Sequence, residues 1–145
     1  MSNFEIEGSV LKKFIDSESN VVTIPDGITH IGKTAFYFCE LKSVIIPPSV
    51  THIGASAFFT SLKLRNIIIP DSVEQIDDFA FYDCRKLENL VISNSIKKID
   101  YAVFDSCRSL TSVVIPDSVT HIHERACPLL PAQRFGHTIR EKLLR

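Results

Sequence analysis

Cysteines, histidines and aspartates are the side chains of this 145-residue chain most able to do chemistry, and they fall at regular intervals. Cys39, Cys84 and Cys107 occupy one repeating position, which Ser61 takes between the first two; Cys127 stands apart. Cys84 and Cys107 fall on successive repeats, close enough for a disulfide to be considered. The simpler reading is a file of buried thiols that bond loop carbonyls. No CxxC spacing occurs, which argues against a structural zinc site. His30, His52 and His121 share a second position, filled elsewhere by Gln75 and Lys98, so it is read as solvent-facing. His30 with His52, and His121 with His123, are candidate pairs, but a metal needs three or four ligands and no third is in place. Asp77, Asp78 and Asp83 cluster in one repeat, with Asp100 and Asp105 in the next. They lack the Gly-punctuated spacing of a calcium loop, so they read as a solvated edge or an acidic patch for a basic partner. The GxSxG, HExxH, GxxxxGK[ST] and GxGxxG motifs are all absent. The expectation is a non-enzyme with no cofactor and no metal.

What positions these side chains is a repeat. Ile-Pro occurs at residues 24–25, 46–47, 69–70 and 115–116, and Ile92-Ser93 fills the missing slot, giving spacings of 22, 23, 23 and 23. A fixed period in this range denotes a solenoid whose units bury their apolar faces by stacking. In register, Ile28, Val50, Val73, Ile96 and Val119 form one apolar column, and Ile31, Ile53, Ile76, Ile99 and Ile122 a second. Ala35, Ala57, Ala80, Val103 and Ala126 form a third, each of the first four followed by a phenylalanine. Small beside large lets each rung seat over the next. The segments LKSVIIP, LRNIIIP, LENLVIS and LTSVVIP are β-branched and read as short strands. Proline ends each strand because it cannot donate to a ladder. About five such strands are predicted in one parallel sheet between Val21 and Ile115. The SVTHI-type segments are a second, shorter extended piece. The xxAFYDC segments suit a single helical or 3₁₀ turn.

Composition bounds the partners. The chain is 45% hydrophobic, enough for a continuous core, and its net charge is -1. No global field draws it to nucleic acid or to an anionic membrane. Arg125, Arg134, Arg140, Lys142 and Arg145 make a locally basic end, too narrow for a nucleic-acid footprint. No apolar run approaches the length of a membrane span. The first residues show no basic start followed by an apolar stretch. The expectation is therefore a cytoplasmic protein, or a surface or secreted one if a leader precedes this Met1.

PDGITHIGKTAFYFC and PDSVTHIHERA resemble the leucine-rich repeats of the bacterial surface protein A-like (BspA-like) class, whose repeat runs IPDSVTxIGxxAFxxCxxLxxVx. The resemblance covers about residues 21 to 127. It implies an α/β-type repeat solenoid: a right-handed leucine-rich repeat coil with a parallel β-sheet on its concave face, mostly β and short turns with few helices. Residues 4 to 15 look like the hairpin that often opens such arrays. The whole chain, 1–145, is read as one leucine-rich repeat domain. Residues 1–20 form an N-terminal cap, 21–127 about five repeats, and 128–145 a C-terminal cap with a short helix over 137–145. The resemblance implies protein binding without catalytic residues, and known members are often surface or secreted proteins.

The expected binding surface is the concave sheet. Between the inward residues, Thr23, Ile45, Ile68, Val91 and Val114 point outward as an aliphatic stripe, with rungs roughly 4.8 Å apart. Ser43, Asn66, Asn89 and Ser112 form a polar stripe beside it, with Lys42, Arg65, Glu88 and Thr111 next. Thr23, Ile45, Ile68, Val91, Val114, Asn66, Asn89, Arg65 and Glu88 are the predicted partner-binding residues, because a long exposed apolar patch often marks a docking surface. The partner expected is a protein, not nucleic acid or membrane. The alternative readings are an assembly subunit that contacts partners or itself through its ends, and a surface adhesin.

Overall fold

A computed structural model describes residues 3–15, 18–111 and 113–127. It is a β-solenoid of about five turns with parallel sheets, and the described residues contain no helix. The chain opens with an antiparallel hairpin, β1 (Phe4–Glu7) and β2 (Val10–Phe14), turned at Gly8 with φ +60°. The later coils share one plan: among the described residues four carry a three-residue strand and five a two-residue strand, with a looped side after the latter.

The three-residue strands β3 (Val21–Thr23), β5 (Ser43–Ile45), β7 (Asn66–Ile68) and β9 (Asn89–Val91) form one parallel sheet in that order. The two-residue strands β4 (His30–Ile31), β6 (His52–Ile53) and β8 (Gln75–Ile76) extend from β2 into a second sheet. β10 (Lys98–Ile99) and β11 (His121–Ile122) form a separate pair. The interruption between β8 and β10 coincides with the repeat that carries Ser93 in place of proline. There the Ser93 hydroxyl donates to the Val73 carbonyl at 2.6 Å.

The first sheet has four strands among the described residues. The fifth expected strand includes Ser112, which lies outside them; beside it Val113 is buried and Val114 exposed, as the alternation requires. One expectation is corrected: the looped side is not a continuous helical turn. Ala35, Tyr37 and Cys39 donate backward three residues to Gly32, Thr34 and Phe36, as a 3₁₀ turn would. The alternate residues Thr34, Phe36 and Phe38 instead donate to Ala55, Ala57 and Phe59 of the next coil. Thr34 and Phe38 have φ near +58° and +55°, a left-handed conformation that stops a helix from propagating. Ser56, Thr60, Phe79, Asp83, Ala102 and Ser106 repeat the pattern down the array. The inter-coil ladder offsets what that conformation costs.

The core is a column of stacked rings. Phe36 lies 4.8 Å from Phe58 and Phe58 5.0 Å from Phe81, with planes within 6° and 4° of parallel. Phe14 of β2 stacks on Phe36 at 5.4 Å, so the hairpin sits in register with the coils. Leu11 likewise pairs with Ile31. Cys127 follows Phe104 in this column and is buried.

Neighbouring coils leave no room for a side chain at Gly32 and Gly54 without a shift. A Cβ on Gly54 would lie 2.8 Å from the Ile31 carbonyl oxygen and 2.9 Å from the Lys33 nitrogen. Asp77 fills that place one coil later, where the matching N–H···O distance is 3.0 Å instead of 2.8 Å. The rungs can therefore part slightly. Gly54→Ala is expected to cost about 1 kcal/mol, the low end for overpacking, seen as a lowered urea midpoint.

Candidate functional site

Strand alternation decides what the first sheet presents. Val44, Ile67 and Leu90 point inward, so their neighbours on each side point out. The outward aliphatic residues are well exposed: Ile45 52%, Ile68 65%, Val91 56% and Val114 85%. Thr23 continues the line and is also exposed. Ser43, Asn66 and Asn89 pair in register beside them, and Asn89 Nδ2 donates to Asn66 Oδ1 at 2.6 Å. Arg65 and Glu88 form an exposed ion pair at 3.8 Å, worth at most about 1 kcal/mol. Between the rungs of β5 and β7 lies a shallow groove of about 260 Å³, lined by Ile45, Ile46, Ile68 and Pro70. The structure thus brings Thr23, Ile45, Ile68 and Val91 into one stripe with Asn66 and Asn89 alongside. Ser112 and residues 128–145, which include the expected cap and helix, lie outside the described residues.

The cysteines are free thiols set among carbonyls. Cys84 Sγ donates to the Phe58 oxygen at 3.2 Å, and Cys107 Sγ to the Phe81 oxygen at 3.1 Å. In the coil with Ser61, the hydroxyl makes the same bond to Phe36 at 2.9 Å, and Cys39 Sγ lies 3.4 Å from it. Burial pushes the Cys84 thiol well above its usual range, with its neighbour Cys107 adding to the shift. Burial raises Cys39 and Cys127 as well. A thiol held protonated and bonded to a carbonyl is a poor nucleophile.

The histidines form a surface ladder. His30 and His52 stack at 4.5 Å, and His52 Nε2 lies 3.1 Å from Gln75 Oε1. Each Nδ1 of His30, His52 and His121 contacts the threonine hydroxyl before it, at 2.8–3.0 Å. His121 and His123 do not pair. His123 meets the Tyr101 ring edge-on at 5.0 Å and accepts the Arg125 backbone N–H. Among the described residues, no group of three or more His, Cys, Asp or Glu is arranged to hold a metal ion, and no helix is long and apolar enough to cross a membrane.

The looped side carries something the sequence reading missed. Tyr37, Phe59 and Tyr82 stack in file at 5.4 and 4.8 Å, outside the buried phenylalanine column. Phe38 packs edge-on against Tyr37, and Phe79 against both Tyr82 and Tyr101. Tyr37, Phe38 and Tyr101 are exposed. The signal available was the doublet Phe36-Tyr37, Phe58-Phe59 and Phe81-Tyr82, in which the first ring is interior and the second outside. The carboxylates lie along this same side. Asp83 pairs with Arg85 at 2.8 Å, Asp105 with Arg125 at 3.5 Å and Asp100 with Lys98 at 3.5 Å. Asp77 accepts from Gln75 Nε2, and Asp78 from the Tyr101 backbone N–H.

This repeat geometry defines a leucine-rich repeat solenoid. The BspA type leucine rich repeat region matches residues 11–127 in six copies, and the chain belongs to that family. No curated protein matches the chain. Among solved structures, a leucine-rich repeat protein of T. pallidum is 35% identical with a TM-score of 0.74, over 78% of this chain and 55% of its own. One from Bacteroides ovatus is 32% identical with a TM-score of 0.68, over 73% of this chain and 28% of its own. The pneumococcal vaccine antigen PcpA is 29% identical with a TM-score of 0.68, over 77% of this chain and 29% of its own. The chain thus spans about half or less of the length of these relatives. Family membership points to a protein-interaction or adhesin-like role.

Proposed function

We propose that the chain is a non-enzymatic interaction module that docks a protein partner on the outer face of the β3-β5-β7-β9 sheet. The observation that carries this reading is the stripe Ile45, Ile68, Val91 and Val114, exposed on successive coils. Scattered exposed aliphatics are ordinary, but a contiguous line of them is apolar surface that a partner would remove from water. The Asn66–Asn89 pair and the Arg65–Glu88 bridge supply a polar rim beside it. The buried thiols and the absence of catalytic motifs fit binding better than catalysis. The test is affinity purification from the native host, followed by the same capture with Ile68→Asp plus Val91→Asp. The double variant is expected to lose the partner while its circular dichroism spectrum is unchanged. Retention of the partner would place the binding surface elsewhere.

A further inference from the structure

We propose that the aromatic ridge on the looped side is a self-association surface, on which two copies of the chain pair antiparallel about a two-fold axis through Phe59. This surface is separate from the sheet face proposed above. The ridge is centred on Phe59, with Tyr37 stacked on one side and Tyr82 on the other. Its hydroxyl-bearing rings have no hydrogen bond to protein among the described residues. A file of rings in mutual stacking spends its faces internally and offers its edges, which favour contact with the faces of other rings. Phe38, edge-on to Tyr37, and Tyr101, edge-on to Phe79, are exposed and offer such faces.

Charge selects the occupant. At the N-terminal end of the ridge lies a groove of about 520 Å³ lined by Lys12, Lys13, Thr34 and Tyr37, with Lys33 beside Thr34. Beyond the centre stand Asp77, Asp78 and Asp100. Some of these charges are already engaged: Lys12 bridges Glu7 at 3.8 Å, Lys13 faces Glu5 across the hairpin, and Lys98 holds Asp100. Lys33 and Asp78 form no ion pair among the described residues, and they occupy the same repeat position two coils apart. A two-fold axis through Phe59 exchanges those coils. It sets Lys33 of each copy against Asp78 of the other, and Tyr37 against Tyr82. A parallel arrangement would set lysine against lysine. The ridge is therefore self-complementary in one orientation, as an isologous interface must be. A uniformly basic or acidic partner would match only half of it.

Sedimentation equilibrium of the full chain tests this. A reversible monomer–dimer equilibrium is expected, weakening as salt rises from about 0.05 M to about 0.5 M. Lys33→Glu alone, or Asp78→Lys alone, turns two attractive contacts repulsive and is expected to raise the dimer dissociation constant by about tenfold. The double variant Lys33→Glu with Asp78→Lys exchanges the charges and is expected to return the constant close to the parent value. That recovery also separates lost complementarity from lost folding. Three results would overturn the proposal: a parent chain that stays monomeric, a dimer indifferent to either single reversal, or a double variant that does not recover. If the dimer forms but ignores the reversals, the contact is through the sheet face or the ends.

Discussion

Phe58→Ala is expected to lower folding stability by roughly 3–5 kcal/mol, the range for removing a large buried aromatic. Phe58 is fully buried and sandwiched between Phe36 and Phe81, with rings nearly parallel on both sides. The coils are tied at fixed spacing by the backbone ladders through Phe36, Phe58 and Phe81. The neighbouring rings therefore cannot close over the void, and the site collapses poorly. In a solenoid each coil contacts only its neighbours, so a weakened central rung divides the array into two short pieces. Equilibrium urea unfolding followed by circular dichroism reads the loss as a shift in midpoint. A broadened or two-step transition would show that the halves have come apart. A cost below about 1 kcal/mol would mean that the column is looser than its stacking geometry indicates.

The solenoid was legible because each inward column is nearly pure. Ile31, Ile53, Ile76, Ile99 and Ile122 hardly vary, since each rung rests on an identical neighbour. The family's repeats begin at residue 11, ten residues before the array the columns suggested. Leu11 and Phe14 take the places of Ile31 and Ala35's neighbour Phe36 in the stack, but no Ile-Pro signal announces that rung. The looped side was less legible for a backbone reason. Its residues alternate between bonding within the coil and bonding to the next, and a left-handed residue recurs every fourth position. No hydrophobic period reports that pattern, and closely spaced apolar residues imitate a helical turn.

The outward face of the first sheet could be read from alternation alone, and the cysteine bonds from the Ser61 substitution. The aromatic ridge could be read only in part, from the doublets Phe36-Tyr37, Phe58-Phe59 and Phe81-Tyr82. Its position runs Tyr37, Phe59, Tyr82 and then Asp105, so it is not a pure column. Phe79 and Tyr101 join it from other positions. Surface positions are free to vary from coil to coil because nothing stacks through them to a fixed volume. A surface assembled from different columns becomes visible only when the coils are superposed in space.

Adjacent residues in β7 give the sharpest check on the face assignment. Ile67 is 2% exposed and Ile68 65%. Ile67→Asp would bury a carboxylate among Val44, Leu90 and the coil interior, where no cation is placed to meet it. An unpaired buried charge, together with the lost isoleucine packing, is expected to cost more than about 4 kcal/mol and to leave the chain largely unfolded. Ile68→Asp keeps the carboxylate in water. It sacrifices strand propensity and little else, so about 1 kcal/mol or less is expected. The same substitution one position apart therefore separates the side that holds the coils together from the side that faces a partner. Urea midpoints for the two variants give the comparison directly. Equal losses would mean that the strand does not alternate as described, and the stripe through Ile45, Ile68 and Val91 would no longer be a surface.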